Sequence, residues 1–288
     1  MLVDSKKVTA SADGSISLND DCASLYTFIV MPRYGANLHK LFAARKGKLS
    51  SESIYSLGIQ LLNIMEQIHS KGYVFNDLKL DNLLFDFETS FDDEMKTTEE
   101  DLFRENNVNI IDFGFACPYK MLDGSEEHLP KMRMDLFQGN ILFSSINQLS
   151  FHSTSRRDDL ISLFYLMVYL FKKGQLPGVK VTSDMDVNEE FRLIRDVKKS
   201  QKTSDVCFGN TKDLSSFKRE IFSYRFMDTP DYEKLRVMLA FLRDIAQTKR
   251  MAQKTKNMLD DTKVSNTSAD ESSRNISGDL SDESKSSQ

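Results

Sequence analysis

The chain has few of the features that mark secreted, disulfide-bonded or membrane proteins. Its three cysteines, Cys22, Cys117 and Cys207, are odd in number and include no C-x-x-C pair. Such sparse thiols do not indicate a disulfide framework or a thiolate metal site, and they favour a reducing compartment. The first residues, MLVDSKKVTASADG, carry charges and no apolar stretch of signal-peptide length. The longest apolar run, residues 160–171, is too short to cross a bilayer and predicts a helix buried within a domain. We therefore expect an intracellular protein, cytoplasmic and/or nuclear, with no membrane partner.

The sequence also lacks the excess of basic residues that favours nucleic-acid binding. It has 38 Lys and Arg against 43 Asp and Glu, which gives a net charge of -5 at pH 7. This charge creates no general attraction to nucleic acid or to anionic lipid. The chain is 40% hydrophobic and 28% charged, which is typical of a globular protein with one catalytic-size domain and tails. We expect a monomer with no nucleic-acid partner.

The first half of the chain divides into segments that differ in composition and in the spacing of their apolar residues. Residues 1–21 are rich in Ser, Asp and small residues, and they predict a flexible leader or at most one weak strand. Residues 25–31, LYTFIVM, are β-branched and aromatic, and the Pro and Gly that follow predict a strand ending in a turn. Behind Ser50, apolar residues recur at steps of three and four. This pattern predicts an amphipathic helix with a serine cap that ends at Gly72.

Two short apolar stretches follow, at residues 83–85 and 108–111, and they predict two strands. Between them lies an acidic insertion at residues 86–107, DFETSFDDEMKTTEEDLFRENN. Such a segment cannot bury much apolar area, so we predict a solvated loop, with a regulatory loop as the functional alternative. Beyond Asp158 the apolar residues recur mostly at helical spacing until Arg250. The Ser- and Asp-rich tail at residues 251–288 is predicted to be disordered. The predicted domain spans residues 22–250.

The stretch that carries chemistry is GYVFNDLKLDN, followed after the insertion by IIDFG. Phosphoryl transfer requires a carboxylate that receives the proton of the attacking hydroxyl, metal ions that neutralise the phosphates, and a cation near the transferred group. Asp77, Lys79 and Asn82 supply a base, a cation and a metal ligand within six residues of one loop. Asp112, after a strand and shortly before a glycine, supplies a second carboxylate that can bridge Mg²⁺ to the phosphates.

Neither motif is specific by itself, because D-x-K-x-x-N arises by chance and D-F-G also occurs as a simple turn. Their order is more informative. An amphipathic helix precedes the first motif and short strands flank both, which is the context that the protein kinase signature requires. We therefore predict an α+β, protein kinase-like fold, mainly the helical C-terminal lobe, with a reduced N-terminal lobe.

In these motifs the sequence resembles the casein kinase 1 superfamily, including its vaccinia-related kinase branch, over about residues 25–242. MPRYGANL at 31–38 looks like the hinge of these kinases, and GNILFSSIN at 139–147 stands where they keep S-I-N in place of A-P-E. SRRDDL at 155–160 is the most family-specific string, and RFMDTPDY at 225–232 is similar to the segment before their last helices. The resemblance implies a protein serine/threonine kinase that uses ATP and Mg²⁺ and acts on Ser or Thr of protein substrates.

The resemblance also implies a role for each predicted site residue. Met31 would be the gatekeeper and the backbone of Tyr34 would contact adenine. Asp77 would be the catalytic base, with Lys79 reaching the γ-phosphate. Asn82 and Asp112 would hold the metal ion as part of the nucleotide site. Asp159 would anchor the catalytic loop from the buried helix.

Several parts of a complete kinase are missing ahead of the hinge. The only glycine there is Gly14 and the only lysines are Lys6 and Lys7, so neither a G-x-G-x-x-G lid nor a convincing V-A-I-K strand can be written. The first glutamate is Glu52, already inside the predicted helix. A lysine–glutamate pair in its usual place is therefore excluded for this sequence.

Two further departures concern regulation and substrate choice. Phe75 and Asn76 stand where the H-R-D motif has His and Arg. Asn76 removes a cation that would pair with a phosphorylated activation loop, so we do not expect regulation by that route. Leu142 stands where casein kinase 1 enzymes have the arginine of G-T-A-R-Y, which puts a preference for already phosphorylated substrates in doubt.

Three hypotheses about function stay open on the sequence alone. The complete set of Asp77, Lys79, Asn82 and Asp112 favours an active serine/threonine kinase. The missing lid and strand lysine favour a pseudokinase or interaction scaffold that keeps the large lobe as a binding surface. A third hypothesis is that the Ser and Asp tail is a phosphorylatable segment that docks a partner, against the alternative of an inert tail.

Overall fold

The computed structural model describes residues 7–10, 16–19, 29–86, 103, 108–121 and 123–276, with side chains for residues 29–86, 103, 108–121 and 123–257. It is an α+β structure in which helices predominate over short paired strands. The elements in chain order are β1 Lys7–Ala10, β2 Ile16–Asn19, α1 Leu38–Ala44, α2 Ser51–Ser70, β3 Tyr73–Val74, a 3₁₀ turn Leu80–Asn82, β4 Leu83–Phe85, β5 Val108–Ile110, β6 Cys117–Pro118, α3 Ile146–Leu149, α4 Arg156–Phe171, α5 Val187–Ser200, α6 Thr203–Val206, a 3₁₀ helix Gly209–Leu214, α7 Ser215–Ser223 and α8 Tyr232–Ile276.

The six strands of the described residues form three antiparallel pairs. β1 pairs with β2, β3 with β6, and β4 with β5. In the last pair, Leu83 faces Ile110 and Phe85 faces Val108. The predicted strands on either side of the acidic insertion are thus confirmed. They bring the loop before β4 and the segment after β5 to the same end of the pair.

Helix α2 has the start and stop signals that the sequence indicated. The Ser50 side chain accepts a hydrogen bond from Ser53 N at 3.1 Å and satisfies a backbone donor of the first turn. After the helix, Gly72 has a φ of 86°, a conformation that glycine adopts without steric cost. The buried stripe of the helix includes Ile54, Leu57, Leu61, Leu62 and Met65.

The core forms where α2, α4 and α8 pack together. A Cβ atom on Gly58 of α2 would lie 3.0 Å from both Leu239 Cδ1 of α8 and Met167 Cε of α4, so glycine allows this close approach. Helix α4 is buried on almost every face, as its long apolar run predicted. Among the helices of the described residues, none combines the length and apolarity needed to cross a membrane.

One residue of the acidic insertion is part of the core. Phe103 is 5% exposed, and its ring lies edge-on to Phe85 of β4 with centroids 5.6 Å apart. Gln60 of α2 donates from Nε2 to the Phe103 carbonyl at 3.2 Å. The solvated loop that we predicted therefore includes a buried aromatic anchor. Residues 87–102 and 104–107, and with them the regulatory alternative, lie outside the described residues.

The structure also differs from the expectations at the start of the chain. Residues 1–21 contain two paired strands, β1 and β2, where we expected a flexible leader or at most one weak strand. Their β-branched Val8, Thr9 and Ile16 favour extended backbone. The strand predicted at residues 25–31 falls partly outside the described residues, and residues 29–31 are not in a strand.

Helix α8 continues far into the tail that we predicted to be disordered. It runs from Tyr232 to Ile276, and only residues 277–288 of the predicted tail lie outside the described residues. No Pro or Gly occurs between Pro230 and Gly278, so no backbone breaker ends the helix earlier. The prediction from serine content overlooked the helix-forming Met, Ala, Gln and Lys residues that follow residue 250.

Candidate active site

The loop between β3 and β4 places Asp77 at the centre of a hydrogen-bonded group. Asp77 is 1% exposed, and its Oδ2 atom lies 2.7 Å from Lys79 Nζ. Asn82 donates from Nδ2 to both the backbone oxygen and Oδ2 of Asp77, each at 3.0 Å. The structure therefore brings together the base, the cation and the amide that the sequence motif predicted. Charge-assisted bonds of this kind fix the direction of the carboxylate.

The backbone of this loop is held from below by Asp159, in the first turn of α4. Asp159 Oδ2 accepts a hydrogen bond from Phe75 N at 2.7 Å, and Oδ1 accepts one from Asn76 N at 2.9 Å. Asn76 itself has a φ of 70°, which costs energy for any residue with a Cβ atom. These bonds confirm the anchoring contact implied for Asp159, and they explain how the strained loop keeps its shape.

Two residues that the sequence analysis missed extend this anchor to α2 and α8. His69 of α2 lies with Nε2 2.9 Å from Asp159 Oδ2 and with Nδ1 2.5 Å from the Tyr232 hydroxyl of α8. Burial raises the pKa of Tyr232, so its hydroxyl stays protonated and can donate to Nδ1. The His69 Nε2–H group is then free to donate to Asp159. His69 and Tyr232 are 163 residues apart, and no local pattern pairs them.

Asn76, which the sequence analysis treated as a lost arginine, is a structural link. Its Nδ2 atom donates to the Phe115 carbonyl at 2.9 Å, and its own carbonyl accepts from Gln148 Nε2 at 3.2 Å. Gln148 Nε2 also donates to the Gln138 carbonyl at 2.6 Å. At Gly139, whose φ is 106°, an added Cβ would lie 2.3 Å from the Asn76 carbonyl oxygen. The segment 138–148 is therefore packed directly against the catalytic loop.

Asp112 lies on a more open side of the site. It follows β5 with a φ of 65°, and its Oδ1 atom accepts a hydrogen bond from Gly114 N at 3.2 Å. The side chain is exposed, and the neighbouring Phe113 is 52% exposed. Ile111 N donates to the Asn82 carbonyl at 3.0 Å, so the backbones that carry Asn82 and Asp112 are bonded to each other. The two predicted metal ligands thus lie on adjacent strand ends.

The predicted hinge runs along the other edge of β4. Gly35 N donates to the Phe85 carbonyl at 2.9 Å, and Phe85 N donates to the Ala36 carbonyl at 3.3 Å. Tyr34 is partly buried, whereas Met31 is 51% exposed. All six predicted site residues therefore lie on three segments that β4 and β5 connect.

The donor set fits a magnesium ion bound together with phosphates. Asn82 donates a hydrogen bond from Nδ2 to Asp77, so its amide oxygen is available to bind a metal ion. Asp112 supplies a carboxylate. Both residues therefore offer the hard oxygen ligands that Mg²⁺ prefers. Among the described residues, no group of three or more His, Cys, Asp or Glu side chains is arranged to hold a metal by itself. Mg²⁺ is commonly bound by one or two protein ligands plus substrate phosphates.

A buried aspartate paired with a partly exposed lysine, on a loop anchored to a central helix, and a D-F-G segment after β5 are the features of a protein kinase domain. Residues 19–228 match the protein kinase domain family, and the chain belongs to that family. Within that family, the chain is similar to a casein kinase I homolog. A probable casein kinase I homolog of Encephalitozoon cuniculi is 30% identical over 215 residues, which cover 74% of this chain and 61% of the homolog. The chain thus spans about three fifths of that relative's length.

Proposed function

We propose that the chain acts as a protein serine/threonine kinase of casein kinase 1 type, which transfers the γ-phosphate of ATP to Ser or Thr hydroxyls of proteins. The observation that supports this proposal most strongly is the buried carboxylate of Asp77, which accepts hydrogen bonds from both Lys79 and Asn82. A base that is fixed before substrate binds needs no reorganisation at the moment of reaction. The similarity to a casein kinase I homolog supports the substrate class.

In the proposed mechanism Asp77 is the catalytic base. Its carboxylate orients the hydroxyl of the substrate Ser or Thr and receives the proton as the hydroxyl oxygen bonds to the γ-phosphorus of ATP. The bond from that phosphorus to the β–γ bridging oxygen breaks in the same transfer, and ADP leaves. Lys79 is within 2.7 Å of the same carboxylate, and its side chain is 29% exposed. The flexible lysine stem allows the ammonium group to remain near Asp77 while it contacts the γ-phosphate, where negative charge must be stabilised.

The nucleotide would lie between the hinge and the strand ends. We assign Met31 as gatekeeper and the Tyr34 backbone as the adenine contact, and Asn82 and Asp112 as the ligands of Mg²⁺. When bound with ATP, Mg²⁺ supplies charge neutralisation for the phosphates. We expect protein substrates, a monomeric chain and an intracellular location, and each of these stays a prediction.

The exposure of the nucleotide side supports a second candidate function. Asp112 is exposed and Phe113 is 52% exposed, so within the described residues the phosphate side is open to water. Solvent there weakens the electrostatic stabilisation that phosphoryl transfer needs. A protein that uses this lobe as an interaction scaffold would keep the fold and show no transfer.

Phosphate transfer from labelled ATP and Mg²⁺ to casein tests the proposal. Asp77→Asn keeps the size of the side chain and removes the base, and we expect a loss of about 10²- to 10⁴-fold in rate. Asp81→Asn is the matched control, because Asp81 is on the same loop and its side chain is 54% exposed. Phosphoamino-acid analysis should show Ser and Thr, and phosphotyrosine as the product would contradict the proposed class. Wild-type transfer no greater than that of Asp77→Asn would favour the scaffold.

A further inference from the structure

Lys198 is a buried lysine whose contacts are unusual. It lies on α5, is 5% exposed, and donates from Nζ to the backbone carbonyls of Leu142 and Ser144, each at 2.7 Å. The same Nζ atom lies 3.9 Å from the centroid of the Tyr165 ring on α4. The contacts that surround this ammonium group are therefore two carbonyl dipoles and an aromatic face.

This environment is unfavourable for a charge. Lysine is rarely fully buried unless it is paired with an acid, and desolvation by burial lowers the pKa of Lys198 well below that of a free lysine. An apolar residue would avoid this cost, and Ile194, one turn earlier on α5, is fully buried. Packing alone would therefore be served as well by a residue such as methionine. The presence of lysine indicates that its N–H donors are needed.

The two carbonyls belong to segment 138–148, which the site already uses. One end of this segment is bonded to the catalytic loop through Gln148. Further along, Ser145 donates from Oγ to Asp158 Oδ1 of α4 at 2.5 Å. Lys198 holds the part between Gly139 and Ser145. Without it, the carbonyls of Leu142 and Ser144 would lose the donor that ties them to α5.

We infer that Lys198 is a positioning residue that holds segment 138–148 in the shape that presents the acceptor hydroxyl of a protein substrate to Asp77. The structural part of the inference, the tether between α5 and the segment, stands on the contacts alone. The substrate part rests on the proposed kinase function. Lys198 acts through backbone carbonyls and has no contact with Asp77, so its effect should fall on protein substrate binding and leave nucleotide binding unchanged.

Hydrogen exchange of the folded protein tests the tether without any turnover. Lys198→Met fills the same space without donors, and loss of two hydrogen bonds should make amides of segment 138–148 exchange about tenfold faster. In Lys198→Met the amides of α2 should exchange at their wild-type rates. Lys199→Met is the matched control, because Lys199 is exposed on the same helix. In that variant the amides of segment 138–148 should also exchange at their wild-type rates. Wild-type exchange in the segment of Lys198→Met would overturn the inference, whether or not the protein has kinase activity.

Stability and kinetics separate positioning from simple packing. Lys198→Met removes a buried charge, which favours folding, and leaves two carbonyls without their donor, which opposes folding, so its urea midpoint should stay near that of wild type. Its KM for a protein substrate should rise about tenfold while its KM for ATP stays unchanged. Equal changes in both KM values, or none, would contradict a substrate-positioning role.

A second variant keeps the test informative if Lys198→Met does not fold. Lys198→Gln keeps an NH₂ donor on a side chain that is one bond shorter, so it should reach one carbonyl and not both. Exchange in segment 138–148 should then be faster than in wild type, with α2 unchanged. Exchange equal to that of wild type throughout the segment would overturn the inference.

Discussion

The two carboxylates that phosphoryl transfer requires occupy opposite environments. Asp77 is 1% exposed and is bonded to Lys79 and Asn82 on a loop that Asp159, also 1% exposed, holds from below. Asp112 is exposed, and within the described part of the chain its side chain accepts one hydrogen bond, from Gly114 N. The base side of the site is therefore fixed by the folded chain, whereas the nucleotide side is open as far as residues 29–86, 103, 108–121 and 123–257 define it.

Because of this difference, we expect substitutions on the base side to change the free energy of unfolding and substitutions on the nucleotide side to change ligand binding. Groups on the base side have buried partners, so removing one leaves unsatisfied donors and lowers the free energy of unfolding. Asp112 and Phe113 on the nucleotide side are exposed, so their removal should affect ligand binding and leave stability almost unchanged. The predictions that follow compare a variant from each side.

The largest effect is expected for Asp159→Ala. It leaves the Phe75 and Asn76 N–H groups and the His69 ring without their buried acceptor, and we expect a loss of about 4 kcal/mol in the free energy of unfolding. Asp112→Asn, which suits the positive φ of that position, should change stability by less than about 0.5 kcal/mol. Urea unfolding of both variants measures the difference. Similar losses in the two would break the comparison.

A smaller but still large effect is expected for Phe103→Ala. Phe103 is buried against Phe85, and removal of an aromatic side chain from a core should cost about 3 kcal/mol. Phe113→Ala removes the same number of atoms from a half-exposed position and should cost less than about 1 kcal/mol. Thermal unfolding followed by circular dichroism compares them. If Phe103→Ala unfolds like wild type, the acidic insertion has no anchor in the core.

Gly139→Ala should have the smallest of these effects on stability. A Cβ there would lie 2.3 Å from the Asn76 carbonyl, whereas at Gly124, which also has a positive φ, nothing lies within 4 Å. We expect about 2 kcal/mol for Gly139→Ala, and about 1 kcal/mol for Gly124→Ala from backbone conformation alone. Chemical denaturation measures both. Equal costs would show that the segment does not press on the catalytic loop.

Local signals were sufficient to predict the elements around the site. The serine cap and glycine stop of α2, the two strands beside the insertion and the apolar run of α4 depend on residues close in sequence, and the structure confirms them. The group of Asp77, Lys79 and Asn82 was predictable for the same reason, because one loop carries all three. The contact of Asp159 with that loop followed from the family resemblance.

The features that were missed depend on long-range contacts. His69 pairs with Tyr232 across 163 residues, and the burial of Phe103 depends on Phe85 and Gln60 rather than on its acidic neighbours. In the sequence alone, Lys198 looks like a residue of the polar face of an amphipathic helix. Its contacts with the carbonyls of Leu142 and Ser144 become visible only in the folded structure. For α8, the prediction gave more weight to the serine content of the tail than to its lack of Pro and Gly. The predicted end of the helix was therefore too early.

Calorimetric titration of ATP with and without Mg²⁺ tests the division of the site most directly. Wild-type protein should bind ATP more tightly with Mg²⁺, and Asp112→Asn should lose about tenfold or more of that Mg²⁺-dependent affinity while its urea midpoint stays at the wild-type value. The account would be contradicted if Asp112→Asn bound Mg²⁺ and ATP as wild type does, or if it lost affinity only because it unfolded.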